Sequence, residues 1–365
     1  MPPSSVRRSS LTRWDPLTVG VDIGGTKVLA GVVDSAGTVL ARERRETPGR
    51  SASAVEDTVV ELVTLLARDH DVAAVGIGAA GFVDAGRSTV LFSPHLAWRN
   101  EPVREAVMSR LRLPVVVDND ANAAALAESR FGAGAGHRFV LCVTLGTGIG
   151  GALVMDHRVY RGAHGMAGEF GHMQVVPDGR RCPCGNRGCW EQYASGNALV
   201  RDARELVVAD SPVAHTLRAA AGPDGSGLTG PLVTEAARGG DPLARELIGD
   251  MGRWLGVGLA NLTAAFDPAC IVVGGGVSDA GELLLAPTRE AFSRQLVGRG
   301  HRAEPPILRA ALGPEAGFIG AADMARSAAR RSRRARRTSR RRREHERIRQ
   351  RFLGGHDRPP SGHAP

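Results

Sequence analysis

Short apolar runs broken by glycine dominate the first half of the chain. Leu17–Ile23 (LTVGVDI) is closed by Gly24-Gly25-Thr26-Lys27; 28–33 (VLAGVV) resumes it, and 38–42 adds a third extended piece. Strand, glycine turn, strand is a hairpin pattern, whereas a dinucleotide fingerprint requires a helix after the glycines. Residues 51–69 change to helical spacing of Val, Leu and Ala. Further strands are predicted over Val72–Ala79 and 88–92, and a short helix over 101–111, entered through Pro102. A buried strand at 114–117 (PVVV) runs straight into Asp118-Asn119-Asp120 and an alanine-rich helix over 121–131.

The pattern then repeats in outline, which points to two related halves. A strand over 138–145 (RFVLCVTL) meets a glycine turn, 146–151 (GTGIGG), and a returning strand over 152–156. A cysteine-rich loop follows, then helices around 197–208 and 241–266. Residues 269–273 (ACIVV) form another buried strand, ending in Gly274-Gly275-Gly276 before a helix over 279–295; 306–310 and 315–325 close the globule. Two glycine-rich hairpins with an acidic strand end between them imply a bilobal α/β protein gripping something anionic.

Charge changes the picture only when split by position. The chain of 365 residues carries a formal +9, but 326–365 hold fifteen Arg against Glu344, Glu346 and Asp357, leaving 1–325 with 32 basic and 35 acidic residues. The body is mildly acidic and the excess sits in a tail. Of the 47 basic residues only Lys27 is lysine, and it follows Thr26, so no Walker A loop is present. A Schiff-base enzyme would have to use Lys27 itself, in a glycine turn where a buried amine is hard to build. No signal-peptide stretch precedes the first strand, and the longest apolar segment, 139–155, is broken by four glycines. Five cysteines, three of them within eight residues, do not form a secreted disulfide pattern. A soluble cytoplasmic protein is the expectation.

Backbone amides of the two glycine turns, 24–27 and 146–151, are suited to wrapping phosphate oxygens, each beside a threonine, Thr26 and Thr147. Asp22, just before the first turn, is positioned to hold Mg2+ through water, or else to make a turn-stabilising contact. Asp118-Asn119-Asp120 reads either as a helix N-cap or as chemistry at a strand's carboxyl end, where a carboxylate could accept a proton from a hydroxyl. The residues alone do not separate Asp118 from Asp120. His172, Cys182, Cys184 and Cys189 make a Cys3His set, the composition of a closed structural zinc site. Glu169 and Glu191 flank it and could offer acceptors to a polyhydroxylated ligand, or be merely solvated. Trp190 and Tyr193 read either as core or as sugar-stacking residues, with core preferred, and Cys142 and Cys270 as buried strand positions.

These motifs together resemble the ROK family of sugar kinases and repressors. The resemblance rests on DIGGTK (22–27), AAGFVD (79–84), DNDANAAALAE (118–128), LGTGIGG (145–151) and GEFGHMQV with CPCGNRGCWEQYASG (168–196), and covers about residues 17–325. Within the family it is most similar to the bacterial ATP-dependent glucokinases. It implies a two-lobed actin/hexokinase/Hsp70-like, ribonuclease H-like α/β fold with a zinc-bearing loop. A small lobe would span 17–118 with a closing helix at 313–325, and a large lobe 119–312 with its zinc loop at 172–189. A flexible amino terminus, 1–16, would lie outside both, as would 326–365, whose arginine-dense, apolar-poor composition reads as a solvated tail, disordered or in part helical.

The resemblance makes Asp120 the general base toward the sugar 6-hydroxyl and implies sugar contacts at Gly81, Asn119, Asp120, Glu169, His172 and Glu191. It assigns ATP to Asp22, Gly24, Gly25, Thr26, Lys27, Gly146, Thr147, Gly148, Gly274, Gly275 and Gly276, with Lys27 on the phosphate side in a role the motif leaves open. The implied reaction is Mg-ATP-dependent phosphorylation of glucose, with a dimer or tetramer as the assembly. Other readings are a kinase for N-acetylmannosamine, N-acetylglucosamine or fructose, polyphosphate as donor, and a sugar-sensing repressor, for which 16 residues before the first strand leave no room for a DNA-binding domain. A non-catalytic polyanion-binding module would rest on the tail alone.

Overall fold

The computed structural model describes residues 15–48, 51–94 and 96–353. The chain opens with β1 (Leu17–Ile23), β2 (Lys27–Val33) and β3 (Val39–Glu46), then α1 (Ala52–Leu66) and β4 (Val72–Ala79). A small hairpin sheet of β5 (Phe82–Val83), β6 (Val90–Phe92) and β7 (Arg99–Glu101) leads into α2 (Val103–Leu111), β8 (Val115–Asn119) and α3 (Asp120–Phe131). The second half begins with β9 (Phe139–Leu145), β10 (Ile149–Met155) and β11 (Arg158–Tyr160). The helical portion comprises α4 (Glu191–Ala194), α5 (Gly196–Val208), α6 (His215–Ala221), α7 (Gly230–Arg238) and α8 (Pro242–Phe266). Finally come β12 (Cys270–Gly274), α9 (Glu282–Gln295), β13 (Ile307–Arg309) and α10 (Ala316–Leu353).

The repeat read from the sequence is real. One sheet has the order β3-β2-β1-β4-β8 and the other β11-β10-β9-β12-β13. In each, the first two pairings are antiparallel and the last two parallel. Each sheet has its own apolar core, one built on Val19, Val21, Ile77 and Trp98, the other on Leu141, Leu145, Trp190 and Leu259. The first is closed by α1 and α2, the second by α5, α7, α8 and α9.

Between the sheets lie α3 and α10. Helix α3 packs on α10, β10, β9 and β4, while α10 returns to β1, β4 and β2 of the first sheet. The approach is close because two strand positions lack a side chain. A Cβ on Gly20 would stand 1.7 Å from the Phe318 carbonyl oxygen, and one on Gly76 1.9 Å from that of Ala321. Glycine at both positions lets the helix backbone rest directly on the sheet.

Four sequence expectations need correction. The returning strand starts at Ile149, before 152, because Ile149 to Gly151 already pair with β9. The stretch between 208 and 241, read without elements, folds into α6 and α7, whose short alanine-rich turns lack a long periodic signal. The tail from 326, expected to be disordered or helical in part, continues α10 without a break to Leu353. Arg326 belongs to the body: it is 2% exposed and donates to the Pro16 and Val33 carbonyls, to Thr18 Oγ1 and to Asp323. Ala329 is buried too, and Arg330 reaches Asp15 at 2.6 Å. The expectations for residues 1–14 and 354–365 lie outside the described residues.

Candidate active site

Parallel pairing brings the strand ends together. Asp22 aligns with Gly78 on β4, and Gly78 with Asp118 on β8, so two carboxylates occupy the carboxyl ends of the two strands that flank β4. Asp118 and Asp120 then part company. Asp118 is 3% exposed and fully engaged: it accepts from the Asn119 amide, Asn122 Nδ2 and Arg161, and pairs with Arg87 at 2.9 Å. Asp120 begins α3, accepts from the Ala121 amide at 2.9 Å, and lines a cavity of about 420 Å3 between the sheets.

Asp22, Lys27, Asp120 and Gly274 to Gly276 line the same cavity. Burial, reinforced by the Asp120 charge, pushes the Asp22 carboxyl up to about 7, with Lys27 partly opposing the rise. Gly317, at the start of α10, presses on this carboxylate; a Cβ there would meet Asp22 at 2.4 Å. Sequence reasoning missed Ser278 and Asp279, just after the third glycine run, and Arg309 and Gly317, in segments read only as closing the globule; all four line the cavity. It also missed Glu128, buried on α3, whose carboxylate accepts from the amides of Ala133, Ala311 and Leu312 and ties the segment before α10 to the cavity wall.

Both glycine turns are closed by their own backbone. The Gly24 amide donates to the Lys27 carbonyl, and the Gly146 amide to that of Gly148. The Gly146 and Thr147 carbonyls in turn accept from the amides of Gly196 and Asn197, which seats the second turn on the start of α5. Among the described hydrogen bonds none uses the amides of Gly25, Thr26, Thr147 or Gly148, and such amides are donors for an anion. In the third glycine run Gly275, with φ +82°, is required by packing: a Cβ would meet the Leu145 carbonyl at 2.3 Å.

Asn119 caps α3, accepting from the Asn122 amide and donating from Nδ2 to the Gly81 carbonyl at 3.1 Å. Gly81 itself, with φ +145°, is pressed against Phe92. These two expected sugar contacts therefore hold each other. Glu169 is exposed to solvent, yet the protein crowded around its carboxyl pushes its pKa up, and Asp120 and Glu191 add to the rise while His172 opposes it. Asp120, Glu169, His172 and Glu191 thus share one electrostatic environment although they come from four places in the sequence.

The ligand atoms of His172, Cys182, Cys184 and Cys189 all lie within 4.8 Å of one another. Cys184 and Cys189 sulfurs are 3.6 Å apart, and Cys182 Sγ is 3.7 Å from His172 Nδ1. A tetrahedron with metal–sulfur bonds of about 2.3 Å has edges of roughly 3.7 Å, so the set fits zinc; a disulfide needs about 2.05 Å. Four protein ligands close the shell and leave the ion a structural role. Glu191 stands against this cluster, Oε1 3.2 Å from Cys182 Sγ, while its other oxygen lies 2.6 Å from where a Gly148 Cβ would be. One carboxylate thereby touches both the metal loop and the second glycine turn. Trp190 is fully buried and donates to the Trp254 carbonyl, a core residue as expected, whereas Tyr193 is half-buried at the edge of that core, its ring tilted against Trp254 at 4.9 Å. Cys142 and Cys270 are buried strand residues, also as expected.

Two sheets of one order, a carboxylate-lined cleft between them, anion-ready glycine turns and a Cys3His loop define the actin-like sugar-kinase class of fold. The ROK family model matches residues 18–328, and the chain belongs to that family. It is 49% identical over 310 residues to the glucokinase of Streptomyces coelicolor, covering 85% of this chain and 98% of that protein. A ROK family glucokinase from Streptomyces griseus, solved in complex with glucose and AMPPNP, matches with a TM-score of 0.78 and 51% identity, covering 85% of this chain and 99% of that one. A ROK hexokinase from Thermus thermophilus matches with a TM-score of 0.73 and 36% identity over 86% and 99% of the two chains.

Proposed function

We propose that this protein is an ATP-dependent glucokinase that transfers the γ-phosphoryl group of ATP to the 6-hydroxyl of glucose. The observation that carries the reading is the position of Asp120. It lines the nucleotide-sized cavity and also acts electrostatically on Glu169, beside the metal loop, so one carboxylate borders both halves of the cleft. The similarity to glucokinases over nearly their whole length supplies the substrate class.

In this mechanism Asp120 takes the proton from the 6-hydroxyl as that oxygen attacks phosphorus in line with the departing ADP. Glu169, His172 and Glu191, with Asn119 beside them, hold the ring hydroxyls so that the attacking oxygen alone is free to approach. The unused amides of Gly25, Thr26, Thr147 and Gly148 receive phosphate oxygens, with Lys27 on the same side, and Gly274 to Gly276 border the adenosine. Asp22 is the side chain that would face Mg2+, whose charge neutralises the phosphates. Closure of the two lobes excludes water as a competing acceptor.

A panel of glucose, N-acetylmannosamine, N-acetylglucosamine and fructose against ATP, GTP and polyphosphate tests the reading. Glucose with ATP gives the highest kcat/KM; a higher value for another acceptor or donor overturns the assignment. Among the described residues no helix is long and apolar enough to cross a membrane; we take the enzyme to work in the cytoplasm. A homodimer or homotetramer is the assembly we expect, and Val208 and Val213, both about 60% exposed beside α5 and α6, support a covered face there. Light scattering after gel filtration reads it directly.

A further inference from the structure

We propose that Arg161 is a positioning residue that locks the Asp120 turn to the loop bearing Glu169. This rests on the reading of Asp120 as base and Glu169 as sugar contact. Arg161 follows β11 in the second sheet, and Asp118 ends β8 in the first. Their bond therefore crosses from one lobe to the other, with Nε at 2.8 Å and Nη2 at 2.5 Å from the same carboxylate oxygen.

Each end of this bond leads to an active-site residue. On one side, the second Asp118 oxygen accepts from the Asn119 amide and from Asn122 Nδ2, both at 2.9 Å, so Asp118 braces the turn on which Asp120 sits from both flanks. On the other, Arg161 opens the loop that ends in Glu169. Its carbonyl accepts from the Ala167 amide at 3.1 Å, and Gly162, Gly165 and Gly168 all have positive φ. The loop is wedged between the lobes: a Cβ on Gly165 would meet the Val83 carbonyl, and one on Gly168 that of Gly151, each at 2.5 Å. With the backbone so confined, moving Arg161 moves Glu169.

Arg87 adds a second cation to the same carboxylate from within the first lobe, and its buried Nη2 has no hydrogen-bond partner. Holding one buried carboxylate with two guanidiniums is a poor way to gain stability alone, because the desolvation of the charges offsets their attraction. It is a good way to fix geometry, because the guanidinium fork allows one orientation where an ammonium allows many.

The test compares Arg161→Gln, Arg161→Lys, Asp118→Asn and the Arg161→Gln/Asp118→Asn double variant. Measured quantities are kcat, the KM for glucose and for ATP, glucose affinity by tryptophan fluorescence, and Tm. Arg161→Gln should raise the glucose KM and Kd about tenfold and lower kcat about tenfold, with the ATP KM within twofold. Arg161→Lys should recover the fold but not the geometry, and the double variant should be no worse than its poorer parent. Unchanged glucose KM and kcat in a folded Arg161→Gln or Arg161→Lys protein, or fully additive losses, would overturn the proposal. Loss tracking only the folded fraction in both Arg161 variants would overturn it equally. Failure of the underlying reading looks different: Asp120→Asn would keep its turnover.

Discussion

Asp118 and Asp120 stand two residues apart on one turn, and their environments differ. Asp118 spends both oxygens on protein donors, whereas Asp120 opens onto the cavity. Asp120→Asn should keep its Tm within a few degrees and lose roughly 100- to 10,000-fold in kcat, the range for removal of a general base; a coupled ADP assay with glucose reads it. Asp22 makes a second prediction at this scale. Its folded pKa of about 7 lies above the ordinary 3.8, so the ligand-free fold binds this proton more tightly than the unfolded chain does. Stability from this site is therefore lost as pH rises from about 4 to 7. Asp22→Asn should melt higher than the parent protein at pH 8 in metal-free, nucleotide-free buffer, by a margin that shrinks toward pH 4.

At the scale of elements, the loop of His172, Cys182, Cys184 and Cys189 and the contact of α10 with the first sheet carry the sharpest expectations. Purified protein should hold close to one zinc per chain by elemental analysis. Cys184→Ser, or prolonged chelation, should remove the ion, lower the Tm and raise the glucose KM, because His172 and the neighbouring Glu169 and Glu191 lose their frame. Gly76→Ala puts a methyl 1.9 Å from the Ala321 carbonyl, backbone against backbone. Neither side can move without shifting a sheet or a helix, so the substitution should cost roughly 2–3 kcal/mol or more in denaturant unfolding. The longer strands, most helices of the body and the metal ligands were legible in the sequence because each rests on local pattern: period, cap or ligand spacing; the two- and three-residue strands β5, β7 and β11 and the extension of α10 past 325 were not. Nor were helices α6 and α7, since seven- and nine-residue segments offer too few turns for a period to stand out.

At the scale of the molecule, the basic excess and the catalytic body join differently from the way charge counting suggests. Helix α10 enters the body as an apolar element, with Phe318, Ile319 and Met324 buried, and leaves it as an arginine-rich one. Truncation after Arg331 should leave glucose kinase activity and Tm intact. Truncation before Ser327 removes the buried Ala329 and the Arg330 contact to Asp15, and should lower the Tm. A large activity loss in the longer protein at low salt would show instead that the tail contributes to donor binding.

The sequence by itself determined the two repeated halves, the glycine turns, the metal ligands and the set of acidic candidates, because strand period, turn chemistry and ligand spacing are properties of neighbours along the chain. Only the tertiary structure decided which carboxylate is held between two arginines and which lines the cavity. Arg87 and Arg161 lie 31 residues before Asp118 and 43 after it, and no local pattern announces that both converge there. It likewise decided that Arg326 belongs to the body and not to the tail, since its partners at Pro16, Thr18 and Val33 come from the opposite end of the chain. Burial and charge pairing depend on what the fold brings into contact, and that is set by the packing of the two sheets around α3 and α10.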